Sequence, residues 1–159
     1  MESKIISKKT FSIIGIELKT TNREGKNFVE IPQFWKQVIQ KKKIGKIPNK
    51  KQPGTVLGIC MDFRADGDFS YIIGSEVTNT DNVPDDMVSK KIPDAKYAVF
   101  LARGKMPDSI QNTFKYIYHE WLPKSKYQHA GSPKFELYDE RSDDSENAEV
   151  DIYVPIVSS

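Results

Sequence analysis

Tyr97–Tyr138 reads YAVFLARGKMPDSIQNTFKYIYHEWLPKSKYQHAGSPKFELY, and within it the hydrophobic period switches from strand to helix and back. Tyr97 to Arg103 has the alternation of a strand. From Pro107 to Leu122, Ile110, Phe114, Ile117 and Trp121 recur at the spacing of one helical face. Asp108 suits the first turn of that helix, where a negative charge meets the positive end of the dipole. Pro123 is expected to end the helix and to open a turn reaching Pro133. Phe135 to Tyr138 then reads as a strand. Side chains alternate across a strand, so Phe135 and Leu137 take one face while Glu136 and Tyr138 take the other. An aromatic-studded helix is thus followed closely by a carboxylate beside a phenol. An acid among rings suits an organic, cationic small molecule.

Working outward, Phe11 to Leu18 is β-rich and reads as a first strand. Thr20 to Asn27, with Gly25, reads as a loop. A helix is expected to start near Pro32, with Phe34, Trp35, Val38 and Ile39 as its apolar stripe. It fades into Lys41 to Lys51, where Gly45 and Pro48 break it. Val56 to Phe63 and Phe69 to Val77 read as strands around an Asp66-Gly67 hairpin signal. Thr78 to Pro93 reads as a polar linker. Two last strands, Phe135 to Glu140 and Glu149 to Ile156, flank an acidic loop. The predicted order is β-α-β-β, linker, β-α-β-β. It predicts an α+β fold: one domain over residues 1–159, with duplicated halves at about 8–80 and 94–157, pseudo-two-fold symmetry, antiparallel sheets and a cleft between the halves.

Composition narrows the function classes. The chain has 159 residues, of which 38% are hydrophobic and 29% charged, with a net charge of +2. That profile fits one globular domain with a core and argues against a dedicated nucleic-acid binder. The charge is uneven. Lys36, Lys41, Lys42, Lys43, Lys46, Lys50 and Lys51 form a basic segment, read as a solvated helix end because no aromatic residue interleaves it after Trp35. Asp139 to Glu149 forms an acidic one, read as a solvated tip. Cys60 is the single cysteine, so no intrachain disulfide forms. It is read as a buried small hydrophobe. No apolar run approaches the roughly 20 residues of a membrane span, and Met1 to Lys9 lacks the apolar run of a signal peptide. A cytoplasmic protein is expected.

Glu136 leads the candidates. It either faces a cleft, where it pairs with a cation or acts as a general base, or it faces solvent. Tyr138 shares its face, and Tyr153 is expected on the same face of the neighbouring strand; both read either as an aromatic wall or as cross-strand packing. Trp121 reads as core or as a ring that holds a cation beside the acid. Tyr71, on the hairpin of the first half, is the candidate across the cleft. Phe34 and Trp35 are weaker, one of them being core, and Tyr97 weaker still. Glu76 and Asp62 have no assigned direction. No metal-ligand spacing, Ser-centred elbow or phosphate-binding loop occurs, so no cofactor and no metal are expected.

Tyr97-Ala98-Val99-Phe100, Ala102-Arg103-Gly104, the helix Ile110 to Tyr118, Glu120-Trp121-Leu122-Pro123, Phe135-Glu136-Leu137-Tyr138 and Ile152 to Ile156 together resemble the GyrI-like small-molecule-binding family, which includes the effector-binding domains of AraC-type and MerR-type transcription regulators. Gly15, Ile31 to Trp35 and Tyr71 to Val77 fit it more loosely. The resemblance runs from about Phe11 to Ile156. It implies a duplicated strand-helix-strand-strand fold with a ligand cleft, and an acidic residue facing that cleft in the strand after the second helix, here Glu136. The ligand-binding set is then Glu136, Trp121, Tyr138, Tyr71 and Tyr153. Met1 to Thr10 is too short for a DNA-binding module, so no direct nucleic-acid contact is expected. Some free-standing relatives are hydrolases of electrophilic toxins and others inhibit gyrase. Three readings therefore stand: a free-standing binder of small organic molecules, a hydrolase in which Glu136 activates water, and a module that engages gyrase or a transcription factor.

Overall fold

A computed structural model describes residues 2–159. Its elements are β1 (Ser3–Lys8), β2 (Phe11–Thr21), α1 (Lys26–Gln40), β3 (Val56–Met61), β4 (Asp68–Val77), β5 (Val88–Ile92), β6 (Ala95–Gly104), α2 (Asp108–Tyr116), β7 (Tyr127–His129), β8 (Lys134–Tyr138) and β9 (Ala148–Ser158). A π-helical turn, Ile117–Trp121, and a last turn, Leu122–Lys124, prolong α2. The strands form one nine-stranded antiparallel sheet in the order β1-β6-β9-β8-β3-β4-β2-β5, with β7 also on β9. The fold is α+β, and β2-α1-β3-β4 is matched by β6-α2-β8-β9.

Strand alternation builds three cores. One face carries Ile14, Ile16, Tyr71 and Ile73 against Phe34 and Val38 of α1. The same face further along carries Ala98, Phe100, Val150 and Ile152 against Ile117 of the second helix. The opposite face carries Ile13, Leu57, Ile59, Ile72, Tyr97, Val99 and Phe135. Here Phe11 of β2 meets Phe135 of β8 with ring centroids 5.9 Å apart. Those strands are three steps apart in the sheet order, about 14 Å if the sheet were flat. The sheet therefore curls, and the chain bridges its two edges where β1 runs into β2 and β5 into β6. The curl leaves β8 and β3 in the middle, between the two helices.

Several boundaries differ from the sequence reading. α1 begins at Lys26 and carries Pro32 in its interior. Ile31 packs against the core and holds the turns ahead of the proline, despite the lost backbone donor. The expected linker contains β5, because Ile92 is fully buried and its segment pairs with β2. The N-terminal residues form β1, which pairs with β6. Both halves contribute to one curled sheet rather than to two separate ones. Pro123 lies inside the last helical turn instead of ending the helix. The hairpin at Asp66-Gly67 forms as read, with Gly67 at φ 97°, a conformation glycine adopts without a Cβ penalty.

Candidate functional site

The site begins with the alternation of β8. Lys134, Glu136 and Tyr138 point to the helix-covered face; Phe135 and Leu137 point into the curl. Opposite Glu136 in the register stands Gly58 of β3. A Cβ there would overlap the Tyr71 hydroxyl and lie 2.8 Å from Glu136 Oε1. The missing side chain is what allows Tyr71, reaching over from β4, to meet the carboxylate.

Four side chains then close a ring. The Tyr71 hydroxyl donates to Glu136 Oε1 at 2.9 Å and the Tyr138 hydroxyl donates to the same oxygen at 2.6 Å. The second length is that of a charge-assisted bond. Trp35 Nε1 on α1 donates to the Tyr71 oxygen at 2.9 Å, and the Trp35 ring meets Tyr138 edge-on at 4.7 Å. Glu136 is 7% exposed. Both phenols use Oε1, so among the described residues Oε2 accepts no side-chain or backbone hydrogen bond.

Burial raises the Glu136 pKa, while the two phenols and Lys134 pull it back. Tyr71 and Tyr138 are pushed well above the usual phenol range, first by burial and then by the Glu136 charge. Two residues along β8, the Lys134 ammonium donates to Tyr118 Oη at 2.9 Å. It also lies 4.7 Å from the Phe114 ring centre and 4.9 Å from that of Tyr118. Burial disfavours this charge, but the Cys60 sulfur, the Tyr118 oxygen and Glu136 hold its pKa above that of a free lysine. The face thus holds a carboxylate short of cations and an ammonium already lodged between rings. Cys60, opposite Lys134, is buried and its thiol is pushed up to about 12, mainly by desolvation. It is no nucleophile at neutral pH.

The structure brings Glu136, Tyr138 and Tyr71 together but not the rest of the sequence-derived set. Trp121 ends the π-helical turn, packs edge-on against Phe100 at 5.0 Å and stacks on Tyr127 at 6.2 Å. Tyr153 is paired with Phe135 rather than with Glu136, and stacks on it at 4.4 Å on the opposite face of the sheet. The expectation that Tyr153 shares the Glu136 face is corrected by that register. Trp35, ranked low from sequence, is the indole at the site, and Phe34 beside it is core. Lys134 was missed, although i, i+2, i+4 alternation along β8 places it on the face of Glu136 and Tyr138. Asp62 pairs with Lys90, and Glu76 pairs with Lys8 and Lys51 away from the site. Among the described residues no group of three His, Cys, Asp or Glu side chains is placed to hold a metal, and no helix is long and apolar enough to cross a membrane.

Comparison with known proteins places this geometry. The family model described as integron-associated effector binding protein matches residues 4–156. The transcriptional regulator BrlR of Pseudomonas aeruginosa is 32% identical over 158 residues, covering 98% of this chain; the chain spans only 56% of that regulator's length. The structure of SAV2435 bound to tetraphenylphosphonium superposes with a TM-score of 0.85 at 23% identity, covering 99% of this chain and 94% of that one. The integron cassette protein VCH_CASS2 of Vibrio cholerae superposes with a TM-score of 0.72 at 19% identity, covering 98% and 95%. At those identities the superpositions speak for the fold.

Proposed function

This chain belongs to the integron-associated effector-binding protein family, and from that premise we propose that its effector is a small lipophilic organic cation taken at Glu136. One observation carries the reading: a 7% exposed carboxylate whose only donors among the described residues are two phenols on one oxygen. A buried charge without a counter-ion is costly. Lys134, the cation on the same face, is committed to Tyr118 instead. A ligand cation at Oε2 would supply the missing charge, with Tyr71, Tyr138 and Trp35 offering ring faces. Its apolar body would gain about 25 cal/mol per Å² removed from water.

Trp35 and Tyr138 flank the carboxylate, their rings edge-on at 4.7 Å. Trp35 rides on α1, whose Pro32 interrupts the backbone hydrogen bonding and whose N-terminus has no side-chain cap. By the same reading the chain reports effector occupancy to a transcription partner, as BrlR is a transcriptional regulator over a longer chain.

Tetraphenylphosphonium titrated against intrinsic tryptophan fluorescence tests the proposal. Saturable quenching is expected, carried by Trp35 and lost in Trp35→Phe. Glu136→Gln should weaken binding about 30-fold, the roughly 2 kcal/mol of a lost buried charge partner. Equal affinity in Glu136→Gln would remove the carboxylate from the site.

A further inference from the structure

The reverse face of β8 and β3 holds a cavity of about 380 Å³, within the range of small-molecule sites. Its apolar walls are Leu57, Phe135, Leu137 and Tyr153, and its polar rim includes Lys8, Lys51 and Glu76. None of these residues belongs to the Glu136 ring. Strand alternation sends consecutive residues of β8 to the two sites, so they stand back to back across one layer of sheet.

The rim has a definite charge. Lys8 Nζ lies 3.3 Å from Glu76 Oε1 and Lys51 Nζ lies 3.2 Å from Glu76 Oε2. Two ammonium groups therefore share one carboxylate, leaving a net positive charge at the mouth. Lys8 lies over the Phe11 ring at 4.5 Å, and the Lys51 backbone N–H donates to the Glu76 carbonyl at 2.9 Å. Below them Tyr153 is half-buried and stacked on Phe135 at 4.4 Å, so an aromatic floor lies beneath a cationic rim.

We infer that this cavity is a second ligand site, for a small amphipathic anion of the aromatic carboxylate type. The ring would lie against Leu57, Phe135 and Tyr153. The carboxylate would bridge Lys8 and Lys51, taking contacts that Glu76 now makes. The inference is independent of the cation proposed for Glu136 and selects the opposite charge.

The probe is 2-naphthoate, with neutral 2-naphthamide as its control, followed on the intact chain by calorimetry and by backbone amide shifts. Saturable shifts at Leu57, Glu76 and Tyr153 are expected with naphthoate, and binding at least about tenfold weaker with naphthamide. The Lys8→Ala/Lys51→Ala double variant should lose about tenfold in affinity, the scale of two partly exposed ion pairs. Glu76→Gln, which frees both lysines, should bind more tightly, and Glu136→Gln should bind within about twofold of the parent. Absence of saturable shifts at those residues, naphthamide binding as well as naphthoate, or a double variant with unchanged affinity would each overturn the site. Markedly tighter naphthoate binding in Glu136→Gln would also do so, because only an anion on the other face would be released from that carboxylate's repulsion.

Discussion

In the first half, α1 lies over β2 and β4, and neutral donors reach the junction from both layers, the Trp35 indole from α1 and the Tyr71 phenol from β4. In the second half, α2 lies over β6 and β9, and β8 brings the charges, Glu136 and Lys134, with Tyr138 beside them. Element order is the same in both, yet the chemistry is divided. Neither half holds a complete site. The acid takes one donor from its own strand, Tyr138, and a second from a phenol of the other half that crosses β3 above a glycine. The helices differ as well: α1 carries an interior proline and exposes Phe28, Val29 and Ile39, whereas the helix of the second half buries Ile117 completely. The half that supplies the donors is also the one whose helix leaves more apolar surface exposed.

The largest expected effect comes from blocking the crossing itself. Gly58→Ala puts a methyl where the Tyr71 hydroxyl lies, within 2.8 Å of Glu136 Oε1. Overpacking of this kind costs about 1–3 kcal/mol, here near the upper end because two hydrogen-bonded groups must separate. Urea unfolding should show that loss, and tetraphenylphosphonium binding should disappear. A variant with parental stability and affinity would mean that the halves are not joined through this gap.

Next comes the charge on the second half. Besides its effect on affinity, Glu136→Gln changes the pH dependence of stability. The folded pKa of Glu136 is raised, chiefly by burial. A raised carboxyl pKa means that the folded state holds the proton more tightly than the unfolded state. That contribution is complete below the ordinary carboxylate range and is lost as pH rises through the folded value. Melting temperatures from pH 4 upward should therefore shift in favour of Glu136→Gln, relative to the parent, as pH rises. Cation affinity of the parent should rise over the same interval, with proton release on binding. A stability gap that stays constant with pH would place Glu136 in an ordinary solvated setting.

Removing a donor from the first half should cost less. Tyr71→Phe deletes one hydroxyl and leaves Trp35 Nε1 without its acceptor, about 1 kcal/mol of stability, and Tyr138 still donates to Glu136. Chemical denaturation of Tyr71→Phe beside Tyr138→Phe ranks the two phenols. The shorter bond, from Tyr138, should cost the more of the two; the reverse order would place the stronger donor in the first half.

What the sequence showed of all this follows from which signals are local. The period switch in Tyr97–Tyr138 located the second half, and alternation alone put Glu136 and Tyr138 together. β5 escaped because its segment is polar and bounded by prolines, and its pairing with β2 is set by the curl of the whole sheet. Tyr153 was placed on the wrong face for a related reason. Its own strand alternation was read correctly, but which face of β9 matches Glu136 depends on the β8–β9 register, which pairs Tyr153 with Phe135. Trp121 followed the helical stripe on paper; the π-helical turn that it ends is a tertiary outcome. Trp35 could not be separated from Phe34 as site or core without knowing how α1 is rotated on the sheet.

The smallest effect sharpens the comparison by changing the second half's charge balance alone. Lys134 holds a positive charge two residues from Glu136 on the same face, about 7 Å along the strand. At an effective dielectric of about 20, a ligand cation at that distance meets about 2 kcal/mol of repulsion. Lys134→Met keeps the aliphatic stem between Phe114 and Tyr118 and deletes the charge. Part of the gain is offset, because Glu136 loses a charge that helps keep it ionised and its pKa climbs further. The net expectation is about 1 kcal/mol, a fivefold gain in tetraphenylphosphonium affinity at pH 8 that shrinks as pH falls and Glu136 takes up its proton. Naphthoate on the other face of the sheet should be indifferent to the same change. A loss of cation affinity in Lys134→Met at every pH would show that the ammonium orders the rings of the second half more than it repels the ligand.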